Sequence, residues 1–284
     1  GVDPALNLSA SASGLGLHTI TDFFSQKLAK QIVNDHGQAR LIVANFVVAN
    51  VDNLDDFISG VAQLLTKDGI FTIETNYVSD IISKLLIETL VHEHLTYFSV
   101  NSLSTYLERH GLELFGVERV PSKSGSLRCF IQHKGNRFEI SKSIYEMKRS
   151  EFSKEIFCES AWAEMAKTLE IARSSAQVFC EQRFKNGIAG YGTSDGATLL
   201  IYQLGIGQFL SALIDDDPYR QSLQSPGFAI PTFAKDEIFT DPPQAKTCLI
   251  LAPRYVEQIF NKNIEARKLN VDFVKVWPRI EVMS

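Results

Sequence analysis

Several marks of large protein classes are missing from this sequence. It has only four cysteines in 284 residues, Cys129, Cys158, Cys180 and Cys248, scattered and without a CxxC pair. That spacing argues against a disulfide framework and a structural zinc site, and reads as the reduced thiols of a cytoplasmic protein. No apolar run reaches the roughly 20 residues of a membrane-spanning helix. The most apolar stretch, Leu41 to Val51, suits a buried strand. Positive charge is not in excess: 28 Lys and Arg stand against 33 Asp and Glu, a net charge of −5, so nucleic acid is not an expected partner. There is no repeat at a fixed period and no low-complexity tract. A GxGxxG loop is also missing, because Gly14-Leu15-Gly16 neither follows a strand nor completes the pattern. The first residues lack a basic stretch followed by an apolar core, so no signal peptide is expected. Gly1-Val2-Asp3-Pro4 reads like the inside of a domain, which implies further sequence upstream.

What is present belongs to an ordinary folded protein. Hydrophobic residues make up 45% and charged residues 21%, and the length accommodates two domains. The pattern alternates. Leu41 to Val51 reads as a strand, Leu54 to Thr66 as a helix capped by Asn53, Ile70 to Thr75 as a strand and Ser79 to Leu90 as a helix. Ser102 to His110 reads as a short helix stopped by Gly111. Leu112 to Val120 and Leu127 to His133 flank a turn built from Pro121, Ser122, Lys123, Ser124 and Gly125, which predicts a hairpin. From Glu139 to Phe184 there is neither proline nor glycine, and the composition predicts one long helix or two joined ones. A second alternating unit follows: a turn at Gly190-Tyr191-Gly192, a helix through Thr198 to Leu204, strands at Leu210 to Ile214 and Cys248 to Leu251, a helix at Val256 to Arg267 and a last strand at Phe273 to Trp277. The expected class is α/β: a partial Rossmann-like domain over 1–137, a helical segment over 138–186, and a smaller Rossmann-like domain over 187–284.

Few residues stand out chemically. His92-Glu93-His94 is the sharpest cluster, since two imidazoles beside a carboxylate supply acid–base groups that titrate near neutral pH. A solvated loop is the plain alternative, and a metal site the third. The spacing is not HExxH, no further ligand cluster accompanies it, and so no metal is expected. Asp3, after a short apolar start, could accept ribose hydroxyls, but Asp-Pro is also an ordinary turn. Asn45, inside an apolar strand, needs a partner if buried and a ligand if at a strand edge. Gly190, Tyr191 and Gly192 allow close approach of a phosphate, or simply a tight strand-to-helix turn.

Taken in order, these pieces resemble the S-adenosylmethionine-dependent C-methyltransferases of deoxysugar biosynthesis. The matching stretches are GVDPA at Gly1, LIVANFVVANVDNLDDFISGVAQLLTKDGIFTIE from Leu41, HEHLTYFSVNSL from His92 and HGLELFGVERVPSKSGSLR from His110. GYGTSDGATLL at Gly190, DDDPYRQSLQSPGFAIP from Asp215 and CLILAPRYVEQI from Cys248 continue the series. The resemblance implies S-adenosylmethionine as cofactor and a nucleotide-linked keto-sugar as small-molecule substrate. It implies that Asp3, Asn45 and Phe46 line the cofactor. It also implies that His94 is the base, with Glu93 and His92 beside it. The substrate would touch Tyr97, Ser126, Arg128, Gly190, Tyr191, Gly192, Asp215 and Arg220. The sequence departs from the family pattern at several places. Val91 replaces a tyrosine and Ser124 a glycine. Asp195 stands in a segment that has lost a lysine, Ala229 replaces a histidine, and Pro253-Arg254 replaces a Trp-Asn pair. Losing a lysine and gaining an aspartate weakens attraction for a diphosphate by charge alone, which leaves open a different substrate, or a relative that keeps the fold as a binding or scaffold protein without turnover.

Overall fold

The structure is a computed structural model that describes residues 1–283. It is an α/β protein of two compact units, residues 1–79 with 93–154, and residues 80–92 with residue 155 onward. The chain opens with α1 (Leu6–Gly14), α2 (Gln26–His36), β1 (Ala39–Asn45), α3 (Leu54–Leu64) and β2 (Leu65–Asn76). A short helix, α4 (Val78–Ser83), carries it out of the first unit. It returns for α5 (Val100–Glu108), β3 (Leu112–Val120), β4 (Ser126–His133) and α6 (Lys142–Ser153).

The first unit has a four-stranded sheet in the order β1-β2-β4-β3. β1 and β2 are parallel, joined by α3 as crossover helix, and β4 pairs antiparallel with both β2 and β3. Asn53 caps α3 by accepting from the Asp56 amide at 3.0 Å. Phe57, Ile58 and Val61 of α3 and Leu103 and Leu107 of α5 bury themselves with Phe71, Ile73, Leu127 and Ile131 of the sheet. His110 bridges Ser59 and Asp55, one turn apart on α3, at 3.2 and 2.9 Å, and so staples the end of α5 to that helix.

The boundaries correct several sequence expectations. The strand from Leu41 stops at Asn45 because Phe46 takes a left-handed backbone, φ 55°. The helix expected over Ser79 to Leu90 ends at Ser83, and Leu85 is left-handed, φ 55°. Its apolar spacing reflects burial on several sides, since Ile81, Leu86 and Ile87 are all buried. The segment 138–186 takes the second of its two readings, two helices, although they belong to different units. It holds α6, which belongs to the first unit, and α7 (Glu159–Arg183), which belongs to the second.

Glu151 explains why α6 stays with the first unit. Its carboxylate is fully buried and accepts four hydrogen bonds: from the Tyr77 hydroxyl (2.9 Å), the Val100 amide (2.6 Å), the Asn101 amide (3.0 Å) and the Asn101 side-chain amide (2.6 Å). The charge sits at the first turn of α5, where the helix dipole favours an anion.

The second unit continues with β5 (Ile188–Tyr191), α8 (Asp195–Leu204), β6 (Ala212–Ile214), β7 (Thr232–Phe233), α9 (Lys235–Ile238) and β8 (Thr247–Ile250). Then come α10 (Val256–Lys262), α11 (Ile264–Lys268), β9 (Asp272–Lys275) and β10 (Glu281–Val282). Its sheet order is β10-β9-β8-β5-β6-β7, parallel throughout except for β10. Numbered by first appearance, the parallel strands run 3-2-1-4-5, the doubly wound order. The helix expected over Val256 to Arg267 breaks at Asn263, whose side chain donates to the Ile259 carbonyl at 2.7 Å. Within this unit Trp277 donates its indole N–H to the Leu85 carbonyl at 2.6 Å, and Glu88 packs on Gly196 of α8.

Two expected outcomes follow from these buried carboxylates. Glu151→Ala leaves the Tyr77 hydroxyl and two amide N–H groups without their acceptor, and should cost about 3–5 kcal/mol, read as a lower denaturant midpoint. Glu88 is buried, neither of its carboxylate oxygens has a hydrogen-bond partner, and Arg254 approaches only to 3.8 Å. Burial raises its pKa above the ordinary 4.5, against the pull of its own backbone amide and Arg254. The folded state then holds the proton more tightly than the unfolded chain, so this group lowers stability as pH rises through 4.5 and above. Glu88→Gln, which cannot ionise, should raise the melting temperature at pH 8 by a few degrees, on the order of 1–3 kcal/mol. The gap should close below about pH 4.

Candidate functional site

In the first unit the strand directions concentrate polar groups at one sheet edge. β1 and β2 both end there and β4 begins there. The register pairs Asn45 with Glu74, Glu74 with Arg128, and Asn76 with Ser126. Open α/β sheets place ligands at the carboxyl ends of such strands. Asn45 is exposed at the tip of β1, and Phe46 follows with its amide donating to the Glu74 carbonyl at 2.7 Å.

The segment after His92 returns to this edge. Phe98 bridges Tyr77, and the Leu95 and Thr96 amides donate to the Ala49 carbonyl at 2.8 and 3.1 Å. His94 is thereby set beside the end of β2, its Nδ1 3.4 Å from the Asn76 side-chain nitrogen. The Tyr97 ring meets the His94 ring edge-on at 5.9 Å between centroids. Burial pushes the Tyr97 phenol up, so it remains protonated, a donor, at neutral pH. Glu93 and His92 are exposed, and His92 belongs to the segment assigned to the second unit.

Glu74 organises the rest of the edge. It is buried and takes two hydrogen bonds from Arg128, at 3.2 and 2.9 Å, and one from the Ser122 hydroxyl. The Ser126 hydroxyl donates to the Ser122 carbonyl at 2.9 Å. Lys123 reaches over the Phe46 ring, 3.7 Å from its centroid. Lys123 and Ser124 are both left-handed, φ 48° and 68°. Such a backbone costs a non-glycine residue roughly 1–2 kcal/mol, which explains a glycine in the family pattern where Ser124 stands.

Asp3 departs from its expected place. Val2 forms an isolated parallel bridge with Ile20, outside the four-stranded sheet, and the Asp3 carboxylate accepts from the Ala5 amide at 2.8 Å at the entry to α1.

The second unit holds a cavity of about 340 Å³, lined by Tyr191 and Gly192 from the end of β5, Asp215, Asp216 and Arg220 after β6, and Lys262 of α10, among others. Gly190 does not line it. A side chain there would come within 2.5 Å of Leu251 and 2.8 Å of Leu213, so this glycine is required by close packing in the sheet. The Asp215 carboxylate accepts from the Thr193 amide at 3.0 Å and from the Thr193 hydroxyl, and Arg220 lies 3.7 Å away. The Tyr191 hydroxyl donates to Asp216 at 2.7 Å, and Lys262 pairs with the same carboxylate. Burial opposes ionisation of Asp216, yet Lys262 and Tyr191 hold its carboxyl below the usual range. Burial, with the neighbouring Asp216, raises the Tyr191 phenol, which stays a donor.

Sequence reasoning passed over Glu74, Asn76, Asp216 and Lys262. Two polar residues closing the alternating run at Ile70 were a signal for Glu74 and Asn76. Lys262 gave none, because only the fold brings α10 beside β5. Among the described residues, no group of three or more His, Cys, Asp or Glu could hold a metal ion.

Comparison with known proteins places this sequence in a family. The C-methyltransferase NovU of Streptomyces niveus is 29% identical over 287 aligned residues, spanning all of this chain and 68% of that protein. Among solved structures, a SAM-dependent methyltransferase from Anabaena variabilis ATCC 29413 aligns over 47% of this chain and 67% of its own, with 14% identity and a TM-score of 0.37. The Burkholderia thailandensis 1,6-didemethyltoxoflavin-N1-methyltransferase aligns over 46% and 59%, with 17% identity and a TM-score of 0.32. The model of the C-methyltransferase C-terminal domain matches residues 121–278, more than half of the sequence, and the chain belongs to that C-methyltransferase family.

Proposed function

We propose that the chain is an S-adenosylmethionine-dependent C-methyltransferase acting on a nucleotide-linked keto-sugar, with His94 as the base. The observation that carries this reading is the placement of His94 beside Asn76 at the carboxyl edge of the first sheet, with Tyr97, Ser126 and Arg128 at the same edge. A relative supports the type of transfer: NovU is a C-methyltransferase.

The donor set fits an adenosyl cofactor at this edge. Asn45 presents an exposed amide at the tip of β1, and Phe46 adds an aromatic face beside it. S-adenosylmethionine, when bound, supplies an electrophilic methyl group to the substrate carbanion. His94 removes the proton from the carbon beside the ketone. The resulting enolate oxygen needs hydrogen-bond donors, and the Tyr97 phenol and Arg128 are the candidates.

Asn76 sets which nitrogen is basic. With its side-chain nitrogen facing His94, the Asn76 oxygen is buried and has no hydrogen-bond partner. Turning the amide over lets that oxygen accept from His94 Nδ1–H, which makes Nε2 the basic nitrogen. Turning it would in exchange leave the Asn76 NH2 group at the partnerless position, so in either orientation the pair fixes one imidazole tautomer.

The test separates chemistry from binding. His94→Ala should lower methyl transfer to nucleoside-diphosphate keto-deoxysugars by about 10²–10⁴-fold. It should also stop deuterium uptake from solvent at the carbon beside the ketone. Calorimetric affinity for S-adenosylhomocysteine should change little. Undiminished deuterium uptake in the variant would remove His94 from the mechanism.

A further inference from the structure

One face of α7, the longest helix of the second unit, packs against nothing. The helix buries Met165, Ala172, Ala176 and Cys180, which recur at helical spacing and define its inward stripe. The opposite stripe runs through Glu164, Lys167, Ile171, Ser174 with Ser175, Val178 and Glu181, and ends at Lys185 in the turn that follows. Each of these residues is exposed. Steps of three and four residues keep them on one side of the helix for about six turns. Ile171 is 60% exposed and Val178 53%. Both are β-branched and form helix less readily than Ala or Leu, so helix formation does not account for them.

Between these two apolar residues the surface is low. Ser174 and Ser175 sit at the midpoint, and the Ser175 hydroxyl donates to the Ile171 carbonyl at 2.8 Å, so it needs no partner from outside the helix. A second helix can approach closely there, because the side chains at a crossing set its distance.

The charges decide what that second helix is. Arg173 and Arg183 of α7 are paired within the chain, with Glu170 and Asp272, whereas Glu164, Lys167, Glu181 and Lys185 make no ion pair among the described residues. Along the stripe their signs read minus, plus, then the apolar centre, then minus, plus. A copy of this stripe laid parallel sets each charge against its like. Laid antiparallel about the Ser174–Ser175 midpoint, it sets Ile171 against Val178, Glu164 against Lys185 and Lys167 beside Glu181. A twofold axis makes each contact twice. The stripe is therefore complementary to itself in one direction only.

We propose that this face of α7 binds a second copy of the chain, as an antiparallel helix pair crossing at Ser174 and Ser175. The apolar centre is small, so the dimer is weak and exchanges with monomer. The pairing does not depend on the reaction assigned to the first unit.

Sedimentation velocity of the full chain, from micromolar to near-millimolar concentration, tests this. The average mass should rise with concentration from monomer toward dimer. Lys185→Glu sets two pairs of like charges face to face and should raise the dimer dissociation constant by about tenfold. Adding Glu164→Lys to that variant restores opposite charges and should return the constant to near its original value. Ile171→Arg puts a charge into the apolar centre and should raise it by on the order of 100-fold. All three positions are exposed in the monomer, so the circular dichroism of the variants should match that of the unmodified chain. A chain that stays monomeric at every concentration would overturn the proposal and leave the face to a different partner. So would a dimer that Ile171→Arg leaves intact, or one that the second charge change fails to restore.

Discussion

The buried carboxylate of Glu151 ties together the two points where the chain leaves and re-enters the first unit. Tyr77 lies just before the departure, and Val100 and Asn101 lie just after the return. A charge taken out of water is costly unless hydrogen bonds replace its hydration, and four do so here. The consequence reaches the candidate site. Tyr77 adjoins Asn76, and Val100 follows two residues after Phe98, which bridges Tyr77. Fixing these two points fixes the return path of residues 93–98, and with it the place of His94 and Tyr97. A long excursion through the second unit therefore need not loosen the histidine, because both of its ends close on one carboxylate.

The strand edge that receives this segment is the most strained part of its unit. Phe46, Lys123 and Ser124 are all left-handed. Backbone of this kind persists only where surrounding contacts over-determine it. Those contacts are visible: Lys123 lies over the Phe46 ring, the Phe46 amide is held by the Glu74 carbonyl, and the Glu74 side chain is held by Arg128 and Ser122. One buried carboxylate on β2 thus positions the tip of β1, the β3–β4 turn and Arg128 together. An edge pre-ordered in this way needs little rearrangement to present its donors to a ligand.

How much of this was legible in the sequence follows from where each feature gets its cause. The β3–β4 hairpin was readable because strict alternation flanks a cluster of turn residues, both local signals. The first crossover, β1-α3-β2, was readable from its cap and its two changes of period. The helix over Ser79 to Leu90 was misread because Ile81, Leu86 and Ile87 are buried by tertiary packing that mimics helical spacing. β7 and β10, two residues each, are too short to carry a period. The cluster that holds His94 stood out by its residue types, whereas the role of base proposed for His94 came from resemblance. Its partner Asn76 is distant by 18 positions, and no local pattern announces such a pair. Glu151 was hidden in the same way, as one acid among many in a charged helix.

Lys262 bears most directly on what the second unit recognises. The resemblance implies a lysine beside the Gly190-Tyr191-Gly192 turn that this sequence lacks, and charge alone then predicts weaker attraction for a diphosphate. The fold returns a lysine to the same cavity from α10, so a count of local charges misjudges the site. Yet this lysine is already paired with Asp216 and lies 4.9 Å from the Tyr191 ring centroid, and Arg220 is paired as well. The replacement restores a cation without restoring a free one. A phosphate entering the cavity would therefore have to break an existing ion pair, so a count of cations overstates the attraction that the cavity offers an anion.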